Sequence, residues 1–129
     1  FPSLEVNRPE LVLVGVSLPV GPVVDGYVIP DEINQIFARG EENRVPLIIG
    51  ANKDEASMFM MMTKLPKDIA GYAAQVRKDF GADEPLIAAA YPVAEAKAIR
   101  STIMRLVGDM IFVSQARHAA RMHSSHGNK

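Results

Sequence analysis

The chain has no cysteine among its 129 residues, which excludes disulfides, thiol catalysis and cysteine metal sites. That absence leaves the cellular compartment open between bacterial cytoplasm and secretion. Net charge is also lacking: 14 basic residues meet 15 acidic ones, for a formal charge of -1. Such a balance gives no electrostatic reason to bind nucleic acid or an anionic membrane surface. No apolar run approaches the roughly 20 residues of a membrane span, and no signal peptide is visible. A nucleophile elbow of the form Gly-x-Ser-x-Gly is missing as well. None of Ser3, Ser17, Ser57, Ser101, Ser114, Ser124 or Ser125 sits in that context. The chain opens on Phe1 rather than methionine, and the expectation is that its natural N-terminus lies upstream.

What is present is a chain of ordinary globular composition, 48% hydrophobic and long enough for a modest core. Residues 1–129 read as a single segment, without internal repeats or a strong domain boundary. The first part leans toward β structure. Leu11–Val16 is a candidate strand, Asp25-Gly26 a turn, and Tyr27–Ile29 a short extended piece. Pro30-Asp31-Glu32 opens a helix with Ile33, Ile36 and Phe37 on its inner face and Gly40 as its stop. Glu41–Arg44 reads as a solvated loop. The unalternating run Val45–Ile49 predicts a buried strand covered on both faces.

From about residue 57 onward the chain is mainly helical. Helices are expected from Pro66 to Gly81, from about Glu84 to Ala90, and over about Ala94–Met122. In the last of these Ile99, Ile103, Leu106, Val107 and Met110 keep helical spacing, and Gly108 is a candidate kink. Ser124–Lys129 reads as a frayed tail. His118, His123 and His126 are spaced by five and three residues, which does not stack two imidazoles on one helix face as a metal site would. No metal site is expected there, and a solvated tail is the simpler reading.

The densest chemical signal is Pro46–Phe59, where the apolar run breaks at Gly50 and the carboxylates of Asp54 and Glu55 follow. Together with Gly21-Pro-Val-Val-Asp-Gly26, the helix after it and the later segment Val107–Phe112, this stretch resembles the type-B carboxylesterases. Those are α/β-hydrolases that include para-nitrobenzyl esterases and, more distantly, cholinesterases. One departure is Ala56, where the family usually has glycine. The resemblance implies an α/β fold with few strands here, and a parent that hydrolyses small carboxylic esters through a Ser-Glu-His triad and an acyl-enzyme. It implies no cofactor.

The resemblance places the triad acid at Glu55 rather than Asp54, and sets Met58 and Phe59 where the family lines its substrate pocket. Read as residues alone, Glu55 is more simply a surface or helix-capping acid, and Met58 and Phe59 are equally core. The implied serine lies upstream and the implied histidine downstream. The chain therefore reads as a partial, C-terminal portion of a carboxylesterase domain, inactive by itself and prone to self-association through exposed strand edges. The alternative is a non-catalytic esterase-like or helical interaction module.

Overall fold

A computed structural model describes residues 23–61 and 63–128, without the side chains of Met58 and Phe59. The candidate strand Leu11–Val16 and the Gly21-Pro22 start of the first motif lie outside the described residues. Tertiary contacts divide the chain into two compact units. The described part of the first is residues 56–107; that of the second is residues 23–55 with 108–128.

The first unit is an assembly of short helices. Helices α2 (Ser57–Met60), α3 (Ile69–Phe80), α4 (Glu84–Ala90) and α5 (Ile99–Gly108) follow in order, with single 3-10 turns at Gly81–Asp83 and Ala96–Ala98. (α1 belongs to the second unit.) Helix α3 starts at Ile69 rather than at Pro66, because the Asp68 carboxylate accepts the Gly71 N–H at 2.7 Å and caps the end. It stops at Gly81, whose φ of 54° an L side chain seldom adopts. Helix α4 carries Glu84 and a proline in its first turn, where a missing N–H costs nothing, and it ends at Ala90 as expected, just before Tyr91-Pro92.

The core of this unit holds four of the five residues that helical spacing predicts; the fifth, Met110, is half-buried and lies in the second unit. Ile99, Ile103, Leu106 and Val107 of α5 are buried, joined by Tyr72 and Val76 of α3, Ile87 of α4, Ala56 and Met60. Full burial of such a Leu, Ile or Val contributes about 1.5–3 kcal/mol. Polar contacts fasten the turn after α4. The Tyr72 hydroxyl donates to the Tyr91 carbonyl at 2.8 Å, and Arg105 Nη2 donates to the Ala90 carbonyl at 3.1 Å. The Arg105 guanidinium also lies 5.0 Å from the centroid of the Tyr91 ring, a cation–π distance.

The second unit holds α1 (Ile33–Arg39) and α6 (Ser114–Ser125), which pack together, and a π-helical turn at Asp109–Val113 that leads into α6. Helix α1 ends at Gly40 in the left-handed region with φ 68°. At Gly108, the candidate kink, the helical backbone runs on into that π turn, which begins at the next residue.

Here the structure departs from the sequence reading. Among the described residues there is no strand, so the α/β expectation is met only by its helical half. Tyr27–Ile29 is not extended. Its three N–H groups all turn back onto Asp25 Oδ1, at 2.9, 2.8 and 3.0 Å, which replaces any ladder with a local carboxylate. Those N–H groups, with that of Tyr27 foremost, hold the Asp25 carboxyl below its usual value. Val45–Ile49 is coil, and Val45, Ile48 and Ile49 are exposed rather than covered on both faces. A strand is defined by its ladder, and no described segment supplies one to this run.

The tail reading is also corrected. Helix α6 runs to Ser125, and His123 is only 3% exposed. The Glu42 side chain, expected on a solvated face, is 8% exposed and pairs with it.

Candidate active site

The acid arm begins at Val45 and ends in a turn over residues 53–56. Asn52 fixes the carboxylate of Glu55 from just before that turn. Its backbone N–H donates to Oε1 at 3.0 Å and its Nδ2 donates to the same oxygen at 2.8 Å. Three-residue spacing lets one asparagine serve twice, through main chain and side chain. Glu55 is half-buried, whereas its neighbour Asp54 is exposed. Of the two acids, Glu55 is thus the one the turn holds in a defined direction.

Ala56 follows, where a glycine was the anticipated residue. No described non-glycine residue has a positive φ, so the turn places no left-handed demand on position 56. Ala56 is buried, and its carbonyl accepts the Met60 N–H at 3.2 Å, which starts α2 directly behind the acid. Met58 and Phe59 lie on the backbone of α2, and their side chains are outside the description.

With Oε1 engaged by two N–H donors, the carboxylate can still accept a further N–H on its other oxygen. That is the chemistry of an orienting acid: it can hold an imidazole in one tautomer and stabilise its cation. It cannot attack a carbonyl. Neither His118, His123 nor His126 hydrogen-bonds to Glu55 among the described residues. Among the described residues no cluster of histidine and carboxylate groups suits a metal ion.

The second unit also carries an open, largely apolar groove of about 390 Å³. Ile33 and Phe37 of α1, Ile49 and Gly50 of the arm, and Phe112 and His118 contribute to its walls. It passes beside the arm and does not include Glu55.

Glu42 and His123 are absent from the sequence expectations as interacting residues. His123 Nδ1 lies 3.1 Å from Glu42 Oε1, and Nε2 lies 2.9 Å from the Val45 carbonyl. Asn128 Nδ2 donates to the same Glu42 oxygen at 3.1 Å. Burial pushes the Glu42 carboxyl up, but its own backbone N–H, the His123 hydrogen bond and the charges of His123 and His126 outweigh it and hold the group below its usual value. A signal did exist on one side: Ala116, Ala119, Ala120 and His123 share one face of α6, so the histidine continues the inward stripe.

Comparison with known proteins adds to this geometry. The profile of the carboxylesterase family matches residues 12–129. A fumonisin B1 esterase from Sphingopyxis macrogoltabida is 32% identical over 95 residues, which cover 73% of this chain. The same match covers 17% of that relative's length. No solved structure matches the chain.

Proposed function

Because this chain belongs to the carboxylesterase family, we propose that it is the acid-bearing portion of a serine carboxylic-ester hydrolase. Glu55 is then the acid of a Ser-Glu-His triad. The observation that carries this reading is the double donation from Asn52 to Glu55 Oε1, which fixes one oxygen and directs the other.

In the complete enzyme the serine hydroxyl attacks the ester carbonyl while histidine takes its proton. The alcohol leaves with that proton, and water then hydrolyses the acyl-enzyme by the same route. Glu55 would accept the imidazole N–H throughout and stabilise the cation as it forms. Met58 and Phe59, directly after the acid, are proposed as part of the wall facing substrate. The sequence has no nucleophile elbow, and the family resemblance puts the oxyanion donors upstream with it, so the chain alone should not turn over esters. The relative's name makes it an esterase, which supports the reaction class. The uncovered run Val45–Ile49 is consistent with a strand whose ladder partners come from other parts of the same enzyme.

The test compares p-nitrophenyl acetate hydrolysis by the complete protein, its Glu55→Gln variant and this chain alone. The complete protein should show saturable turnover, and the variant should lose roughly 10³–10⁴-fold in kcat with KM little changed. This chain should be inactive. A fully active Glu55→Gln variant would remove Glu55 from the triad.

A further inference from the structure

The pair formed by Glu42 and His123 is buried, and the esterase chemistry above makes no use of it. A carbonyl oxygen can only accept, so the 2.9 Å contact with Val45 puts a proton on His123 Nε2. On the other side of the ring Nδ1 meets Glu42 Oε1 at 3.1 Å, so one imidazole spans the carboxylate and the carbonyl. Burying such a polar pair brings little net stability over apolar residues of the same size. Glu42 Oε2 adds to the cost, being buried without a hydrogen-bond partner. What such a pair does supply is direction: a planar ring with donors at fixed angles holds one carbonyl in one orientation.

That carbonyl belongs to Val45, where the acid arm begins. Its far end is held by Asn52 and Glu55. Residues 46–51 between them make no hydrogen bond among the described residues. The Asn52–Glu55 contacts lie within the arm itself, so among the described residues the arm is hydrogen-bonded to another element of the second unit only through His123.

We propose that Glu42 and His123 are positioning residues for the acid: they tie the start of the arm to α6 and so set where Glu55 is presented. The proposal rests on Glu55 being the triad acid. Neither residue touches substrate; Glu42 orients His123, and His123 orients Val45.

The first measurement uses this chain and is independent of hydrolysis. In His123→Leu, NMR should show the Asn52 backbone and Nδ2 proton signals displaced and their exchange with solvent at least about tenfold faster. His123→Gln, which returns one donor to the Val45 carbonyl, should restore most of the protection, and Glu42→Gln should be intermediate. These two milder variants carry the test if His123→Leu does not fold. Asn52 and Glu55 signals unchanged in every folded variant would overturn the proposal. The second measurement uses the complete protein, with active sites counted by an organophosphorus ester. His123→Gln should retain activity, whereas His123→Leu should lose at least about tenfold in kcat per titrated site with KM within about twofold. Fewer titratable sites at unchanged kcat per site would show a folding role only and overturn it. An inactive wild-type protein would instead refute the esterase reading, while the NMR result still decides whether the pair governs the arm.

Discussion

Asn52 and Glu55 are joined twice, since both the backbone N–H and the Nδ2 of the asparagine meet Glu55 Oε1, at 3.0 and 2.8 Å. A carboxylate held at one oxygen by two donors three positions away has little rotational freedom left. An arm built in this way delivers a direction as well as a charge.

Replacing Asn52 separates the two donations. Asn52→Ala keeps the backbone N–H and deletes the side-chain donor, which corresponds to about 1 kcal/mol. In the complete protein kcat/KM should fall about fivefold. Asn52→Asp should be worse, because it sets a second carboxylate against Glu55. Steady-state ester hydrolysis checks both.

Tyr72 gives the first unit an alkaline limit. Burial raises its hydroxyl above the ordinary value of 10.0, with Arg105 opposing. A folded value above the unfolded one stabilises the fold fully below the unfolded value, and that contribution is lost as pH rises through the folded one. Tyr72→Phe should remove this limb from a stability–pH curve. At neutral pH it should cost about 1 kcal/mol, the worth of the hydrogen bond to the Tyr91 carbonyl, measured by urea unfolding.

Glu42 sets the opposite limit in the second unit. Its folded carboxyl is held below its usual value, so its contribution is present above the unfolded carboxylate range. It is lost as pH falls through the depressed folded value. Asp25 and Asp31, also held low, carry the same sign, so Glu42→Gln should reduce the acid slope without abolishing it. Circular dichroism followed from neutral pH down through the carboxylate range would show this, and an unchanged slope would contradict it.

Exposed Val45, Ile48 and Ile49 form an apolar run whose backbone has no ladder among the described residues. Such a run favours pairing between copies of the chain. Light scattering should show mass rising with concentration, and Ile48→Lys should suppress the rise while leaving helical content intact.

Much of the helical architecture was legible because its determinants are local. Proline near the start and Tyr91-Pro92 at the end bracket α4, and spacing alone picks out Ile99, Ile103, Leu106 and Val107 as core. The start of α3 moved because a side-chain cap at Asp68 outweighed the proline signal. Val45–Ile49 failed as a strand for a non-local reason: apolar character gives a tendency, and pairing depends on another segment. Glu42 and His123 are 81 positions apart, so periodicity could turn the histidine inward but could not name its partner. Glu55 was singled out over Asp54 by resemblance. The structure adds that Asn52 holds it, a contact carried by one residue type at one spacing, which no pattern of hydrophobicity reveals.

Gly40 closes α1 at φ 68°, and a Cβ built there would lie 2.7 Å from the His126 ring. A side chain at position 40 meets two obstacles, the left-handed φ and the His126 ring, and the second is cleared by turning that exposed ring or by a smaller residue at 126. Glycine at 40 is therefore expected whatever stands at 126, and a side chain at 40 chiefly where 126 is small. Variation at these two sites would thus record, across related sequences, whether the contact between the end of α1 and the end of α6 has been kept.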